Sequence, residues 1–347
     1  MKIRIGKYFL ALCIALLTTF LPGACNLIPK NDQANYLSAL KQLHLNGRLV
    51  FNLYEANRYQ LTVMNLETGD TQVLFNVPSQ AWLQSASISP DGKQILMAYA
   101  PPTAQNQLGY GLTDLYLMPV DGSSSPLALA TRQASVETYS TPTWSPDGQM
   151  IYYTHTLPGN DPSGAIEIRI ERMKLGGSPQ VVLNAAEWPR FSPDGSQIAY
   201  LSATSLASNE LYIAQADGSG AKPVFPAGEF SIVDDHLYTP DGKAIIFSSI
   251  TNQPVSIKDG AKPFVGFGVT PVVAHPLPSD WYQVNLDTGR ASQLTHIQDS
   301  TMNATFSPDG QWLAYVSQRG IFVMKPDGSN LTQISNLFGM GSINWLP

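Results

Sequence analysis

The chain has 347 residues, 13% of them charged, with a net charge of −6 and 44% hydrophobic residues. That is about half the ~25% charged fraction of ordinary soluble domains. A basic nucleic-acid-binding surface, a long coiled coil and wholesale disorder are therefore excluded. With 27 Gly and 26 Pro, the composition points instead to many short elements joined by turns.

Residues 1–25 read as an export signal: Lys2, Arg4 and Lys7 precede an apolar run from Tyr8 to Leu21. That run is short for a transmembrane helix, which needs ~20 apolar residues. It ends Leu21-Pro22-Gly23-Ala24-Cys25, which resembles the bacterial lipobox, with Pro22 standing where the pattern has an aliphatic residue. Cys13 would leave with the signal, so Cys25 becomes the mature chain's single cysteine, available for lipid and not for an internal disulfide. Residues 26–45 form either a linker or a short amphipathic helix carrying Tyr36, Leu37, Leu40 and Leu43 on one face.

From residue 46 to 347 the chain repeats. Ser89-Pro90-Asp91-Gly92 recurs at Ser145-Pro146-Asp147-Gly148, Ser192-Pro193-Asp194-Gly195, Thr239-Pro240-Asp241-Gly242 and Ser307-Pro308-Asp309-Gly310. Pro presets φ, Asp bonds neighbouring backbone and Gly accepts the exit conformation, so each copy is a tight turn. An aromatic residue or Ile precedes every copy, and an alternating strand such as Gln197-Ile198-Ala199-Tyr200-Leu201 comes after it. A third strand, a second turn (Asp121-Gly122-Ser123, Asp217-Gly218-Ser219, Asp327-Gly328-Ser329) and a short outer strand complete the unit. Four antiparallel strands per repeat specify an all-β propeller. Ser342-Ile343-Asn344-Trp345-Leu346-Pro347 matches the strand that elsewhere leads into the Pro-Asp-Gly turn, and Asn46-Gly47-Arg48-Leu49-Val50-Phe51 matches the strand that leaves it. Six blades are expected, with the C-terminal strand joining the N-terminal blade.

The series F/W-S-P-D-G, I-A-Y, L-Y/F-V-M, D-G-S and L-T resembles the WD40-like repeat of TolB-type propellers, and also the propellers attached to prolyl-oligopeptidase and dipeptidyl-peptidase enzymes. The resemblance covers residues 46–347 and implies a periplasmic or extracytoplasmic protein that binds partners. Only about twenty residues separate the cysteine from the first blade, too few for the N-terminal α/β domain of TolB.

One face of such a ring carries the stereotyped turns; the other carries the second-to-third loops and the blade connections. The irregular segments 100–112, 156–164 and 250–279 fall there, the last with Phe264 and Phe267 as a candidate partner-docking loop. Blade connections on that face contribute the channel-mouth candidates Trp82, Tyr139, Trp188, Arg190, Asp234, Asp235 and His236, joined by Glu187, Phe230 and Asp299. Arg190 and His236 fall near the start of innermost strands, close to the channel. The aromatics have a plainer role open to them, packing between neighbouring blades.

No G-x-S-x-G, H-E-x-x-H or P-loop motif occurs. The expected function is a monomeric, non-enzymatic envelope lipoprotein that needs no cofactor or metal, sits on the membrane through lipid at Cys25, and binds a protein, peptide or glycan partner. The competing expectation is an enzyme acting on envelope carbohydrate, a hydrolase or a metal-dependent lyase drawing on His155, His236, His275 and His296. A peptidase-type propeller without its catalytic domain is the third.

Overall fold

The computed structural model describes residues 30–55, 58–102, 111–159, 166–203, 209–230, 232–250 and 278–347. The signal, Cys25, His275, Phe264 and Phe267 lie outside the described residues. Helix α1 (Lys30–Leu43) precedes β1 (Arg48–Glu55), β2 (Arg58–Asn65) and β3 (Thr71–Asn76) of blade one. Blade two is β4 (Trp82–Ile88), β5 (Gln94–Ala100), β6 (Asp114–Pro119) and β7 (Leu127–Ala130). Blade three is β8 (Thr138–Trp144), β9 (Ile151–Pro158), β10 (Ile166–Met173) and β11 (Gln180–Asn184). Blade four is β12 (Ala186–Phe191), β13 (Gln197–Ser202), β14 (Leu211–Gln215) and β15 (Lys222–Pro223). Blade five is β16 (Val233–Tyr238), β17 (Ala244–Ile250), β18 (Ser279–Asn285) and β19 (Ala291–Gln293). Blade six is β20 (Asn303–Phe306), β21 (Leu313–Ser317), β22 (Gly320–Met324) and β23 (Thr332–Ser335). The last strand, β24 (Gly339–Leu346), pairs antiparallel with β1 and completes blade one as its innermost strand. The result is six four-stranded antiparallel sheets, closed as the repeat predicts.

Each Pro-Asp-Gly turn is locked in the same way. In blade six the Ser307 hydroxyl donates to Asp309 Oδ1 at 2.6 Å, and the Gln311 N–H donates to the same oxygen at 3.0 Å. These bonds favour the ionised form, so the carboxyls of Asp91, Asp147, Asp194, Asp241 and Asp309 all lie below the ordinary aspartate value, the Ser or Thr hydroxyl being the main cause. Gly310 has φ +69°, and a methyl group there would meet Pro240 at 2.7 Å. Only glycine fits both the left-handed backbone and that contact.

Alternation along the strands sends apolar side chains into the spaces between blades. Tyr153 and Trp144 of blade three pack on Leu96 and Leu115 of blade two, and Trp281 of blade five meets Tyr315 of blade six with ring centroids 5.7 Å apart. Burying each such side chain contributes roughly 1.5–3 kcal/mol. The closing strand is also stitched to its neighbour by polar side chains. Ser342 Oγ accepts from the Ala86 N–H at 2.8 Å, and the Asn344 amide donates to the Ala86 carbonyl at 3.0 Å.

Of the two expectations for residues 26–45, the helix is realised. Leu40 is buried in a cluster with Leu45, Leu49, Phe51 and Ile334, and Leu43 packs against it. Helix α1 therefore belongs to the core between blades one and six.

Candidate functional site

The channel is walled by the innermost strands β24, β4, β8, β12, β16 and β20. At one level, two residues before each Ser/Thr-Pro turn, the side chains are half-buried all round: Ser87, Thr143, Arg190, Leu237, Thr305 and Asn344. Arg190 is the only charge in this ring. Three residues before that level come Gln84, Ser140, Glu187, Asp234, Met302 and Gly341, of which only Glu187 and Gly341 keep partial exposure.

Between the two levels the strands bulge. Register slips between Ser140 and Thr143 in β8, between Glu187 and Arg190 in β12, and between Val233 and His236 in β16. Pro142 and Pro189 fall inside two of these bulges, where a residue without an N–H is tolerated. Thr141 (φ 46°) and Trp188 (φ 58°) adopt the left-handed conformation there. The Trp188 N–H is caught by Thr154 Oγ1 of the preceding blade at 2.8 Å, which holds the strained residue in place. The bulge lets Glu187 and Arg190, which oppose Leu201 and Ala199, lie on one face of the sheet.

The candidates around Arg190 form a tie across three blades. Asp235 is fully buried and accepts from Arg190 Nη2 of blade four at 2.8 Å, from its neighbour's His236 N–H at 3.0 Å and from the Ala304 N–H of blade six at 2.6 Å. His236 is sealed beneath Trp188, ring centroids 5.9 Å apart, and burial pushes its pKa down to about 4. The imidazole is therefore neutral at physiological pH. Asp234 is buried beside them. Glu187 has no hydrogen-bond or ion-pair partner among the described residues, and desolvation raises its pKa to about 7. Glu187 is thus an uncommitted, half-buried acid on an innermost strand.

A second polar group caps blade three. Glu137 Oε1 lies 2.8 Å from His155 Nε2 and accepts the Tyr139 hydroxyl at 3.1 Å, while its other oxygen accepts the Gln133 N–H at 2.5 Å. On the other side of the ring His155 Nδ1 stands 3.1 Å from Glu171 Oε2. Glu171 in turn receives Arg169 Nε at 2.6 Å and the Tyr153 hydroxyl at 3.0 Å. Tyr139 stacks on the imidazole at 4.2 Å. Burial alone would raise both acids, but backbone and side-chain donors, His155 prominent among them, outweigh it and leave Glu137 and Glu171 below the ordinary glutamate value. The two carboxylates occupy opposite nitrogens of one imidazole, so they bridge through the ring and do not converge on a common point.

Trp82, Tyr139, Trp188 and the 234–236 triplet differ from expectation in one respect: they belong to the innermost strands themselves and not to loops between blades. Arg190 likewise sits at the turn end of β12, not near its start, because β12 begins at Ala186. Trp82, Tyr139 and Trp188 are each buried. Phe230 packs on Phe225, Phe247 and Tyr282, and Asp299 pairs with Arg319 at 3.1 Å. His296 is remote from this group, bonded to Gln293 beyond an outer strand. Among the described residues no cluster of three or more His, Cys, Asp or Glu side chains has the geometry to hold a metal ion. Of the Glu137–His155–Glu171 group, only His155 is a sequence-based candidate; Glu137 and Glu171 are not. The group's signal is the strand Ile166-Glu167-Ile168-Arg169-Ile170-Glu171, in which charges alternate with isoleucine and so must share one face.

Comparison with known proteins agrees with this architecture. Residues 257–343 match the family described as the dipeptidyl peptidase IV N-terminal region. An uncharacterized peptidase of Bacillus subtilis, YuxL, is 27% identical over 192 residues, a stretch that covers 50% of this chain and 28% of that protein. The chain thus spans little more than a quarter of that relative's length. TolB from Acinetobacter baumannii superposes with a TM-score of 0.58 at 18% identity, covering 86% of this chain and 66% of TolB. A putative TolB from Agrobacterium tumefaciens gives 0.56 at 20% identity, covering 87% of this chain and 98% of that one. In fold, this chain is a TolB-like six-bladed β-propeller.

Proposed function

We propose that the protein is an exported envelope lipoprotein, anchored through Cys25, whose propeller binds a protein, peptide or glycan partner at the channel mouth and performs no catalysis. The observation that carries this reading is the division of labour among the ionisable groups. Arg190, Asp235, Glu137, His155 and Glu171 are engaged in bonds that join strands or blades, whereas Glu187, half-buried on an innermost strand, has no partner among the described residues. A half-buried polar ring with one available acid suits recognition of a polar ligand. A general base or nucleophile would need an accessible neighbour to activate it, and among the described residues Glu187 has none. The TolB-like fold supports a location outside the cytoplasm and a binding role.

Photo-crosslinking in intact cells tests this reading. A crosslinking residue at position 135, on the connection face, should capture a discrete partner, and one at the outer-edge position 127 should not. Capture from position 127 alone would overturn the channel-mouth assignment. Metal-dependent cleavage of a polysaccharide by the purified protein would overturn the non-enzymatic one. Lipid labelling that persists in Cys25→Ser would overturn the anchor.

A further inference from the structure

On the face bearing the Pro-Asp-Gly turns, four of the five turns nest on the one before them, and Gly92 of the first has nothing within 4 Å. A methyl group built on Gly148 would stand 3.6 Å from Pro90, one on Gly195 3.4 Å from Pro146, and one on Gly242 3.7 Å from Pro193. Each glycine thus lays bare backbone over the preceding proline ring. The sixth turn is different, because it is assembled from residues 345–347 and 45–47. Leu49 pairs with Trp345 as Ile151 pairs with Trp144, so Pro347 holds the proline place, Leu45 the aspartate place and Asn46 the glycine place.

The nesting fails at this seam. Pro308 has Asn46 where Pro90, Pro146, Pro193 and Pro240 have a glycine, and a cleft of about 310 Å³ opens between blades six and one. Its walls include Pro308, Pro347, Trp312 and Trp345, with Asn46 and Asp309 among the polar groups. That volume is at the lower end for a small-ligand site.

We propose that the seam cleft binds a proline-bearing extended peptide segment that carries a basic side chain. Proline rings pack on aromatic faces and on one another, and the cleft supplies two indoles and two prolines. A polyproline segment is already ordered, exposes carbonyls and lacks proline N–H groups, so it needs donors more than acceptors. The Asn46 side-chain amide is exposed at the cleft to supply them. The Ser307 hydroxyl keeps Asp309 ionised, and its carboxylate offers a place for the basic side chain. Lys325 stands 3.8 Å from the centroid of the Trp312 ring, so one face of this indole is already covered by a cation of the protein itself. The net charge of −6 draws basic peptides to the molecule.

The test uses the full chain in detergent and a fluorescein-labelled proline-rich hexapeptide containing two lysines, with anisotropy as the readout. Saturable binding is expected, with a dissociation constant of about 1 mM or tighter. Asn46→Trp, which fills the cleft, should weaken it at least about tenfold. Asp309→Asn keeps the turn's Oδ1 acceptor and should weaken the lysine peptide roughly threefold, leaving an alanine-substituted version unchanged. If Asn46→Trp does not fold, indole NMR of the unmodified chain decides. The peptide should then shift the Trp312 and Trp345 signals and leave those of Trp82, Trp144, Trp188 and Trp281 in place. No saturation at several millimolar, an unchanged Asn46→Trp, shifts confined to other indoles, or competition by a chito-oligosaccharide would each overturn the assignment.

Discussion

Removing the Asp235 carboxylate should cut the strongest polar tie across blades four, five and six. Asp235→Ala takes away three acceptor contacts at 2.6–3.0 Å from a site that is itself fully buried. Two backbone N–H groups are then left without partners, each at about 1–3 kcal/mol. The Arg190 side chain is 30% exposed and can turn to water, which makes its share smaller than that of a fully buried cation. The expected total is about 3–5 kcal/mol, in line with breaking other buried ion pairs. Asp235→Asn keeps one acceptor oxygen and should cost about half as much. Arg190→Met leaves Asp235 with both backbone donors and should cost least, about 1–2 kcal/mol. Urea unfolding monitored by tryptophan fluorescence and circular dichroism measures the series, coincident transitions showing that the ring unfolds as one unit. A cost of under about 1 kcal/mol for Asp235→Ala, or an Arg190→Met cost equal to it, would refute the three-blade tie.

The same geometry sets further outcomes. His236 has its pKa lowered from 6.5 to about 4, so the stability it contributes is complete above pH 6.5 and is lost as pH falls toward 4. Between pH 7 and pH 5 the wild type should lose about 2 kcal/mol through this group, and His236→Phe should flatten that limb of a urea-midpoint profile. Glu187 behaves oppositely: with its pKa raised from 4.5 to about 7, it favours folding below 4.5 and opposes it as pH rises through 7. Glu187→Gln should therefore stabilise the protein at pH 8, by on the order of 1 kcal/mol after solvent screening of a half-buried group, and should give no gain at pH 4. His155→Leu leaves Glu137 and Glu171 as facing buried acids and should destabilise by about 3 kcal/mol at pH 7, with both carboxyl titrations moving upward by NMR. Gly341→Ala places a methyl group 1.9 Å from the Gln84 carbonyl at φ +86°, and the closing strand should lose at least about 2 kcal/mol in calorimetry.

The ring is legible in the sequence because it is written many times over. The Pro-Asp-Gly copies and their alternating strands fix blade boundaries by local chemistry, and the split between residues 46–51 and 342–347 reveals the closure. The polar groups are harder to place, since their roles depend on which blades face each other. Asp234, Asp235 and His236 read as a channel-mouth cluster, yet the β16 bulge turns Asp235 toward Ala304 of the next blade and buries His236 under Trp188 of the previous one. A bulge inserts one residue and reverses which side chains face a neighbour, and the period-2 pattern does not announce it. Glu137 is hidden for a related reason: its partner His155 and the acid on that ring's other side, Glu171, come from adjacent strands of the sheet, 18 and 34 residues further along the chain.

The most direct measurement of binding at the channel mouth is crosslinking from position 135 in living cells. One discrete partner adduct is expected from position 135, lost in Glu187→Gln and when the rim beside Glu187 and Arg190 is blocked by Thr143→Trp, with none from position 127. Efficient capture from position 127 with silence at 135 would contradict it.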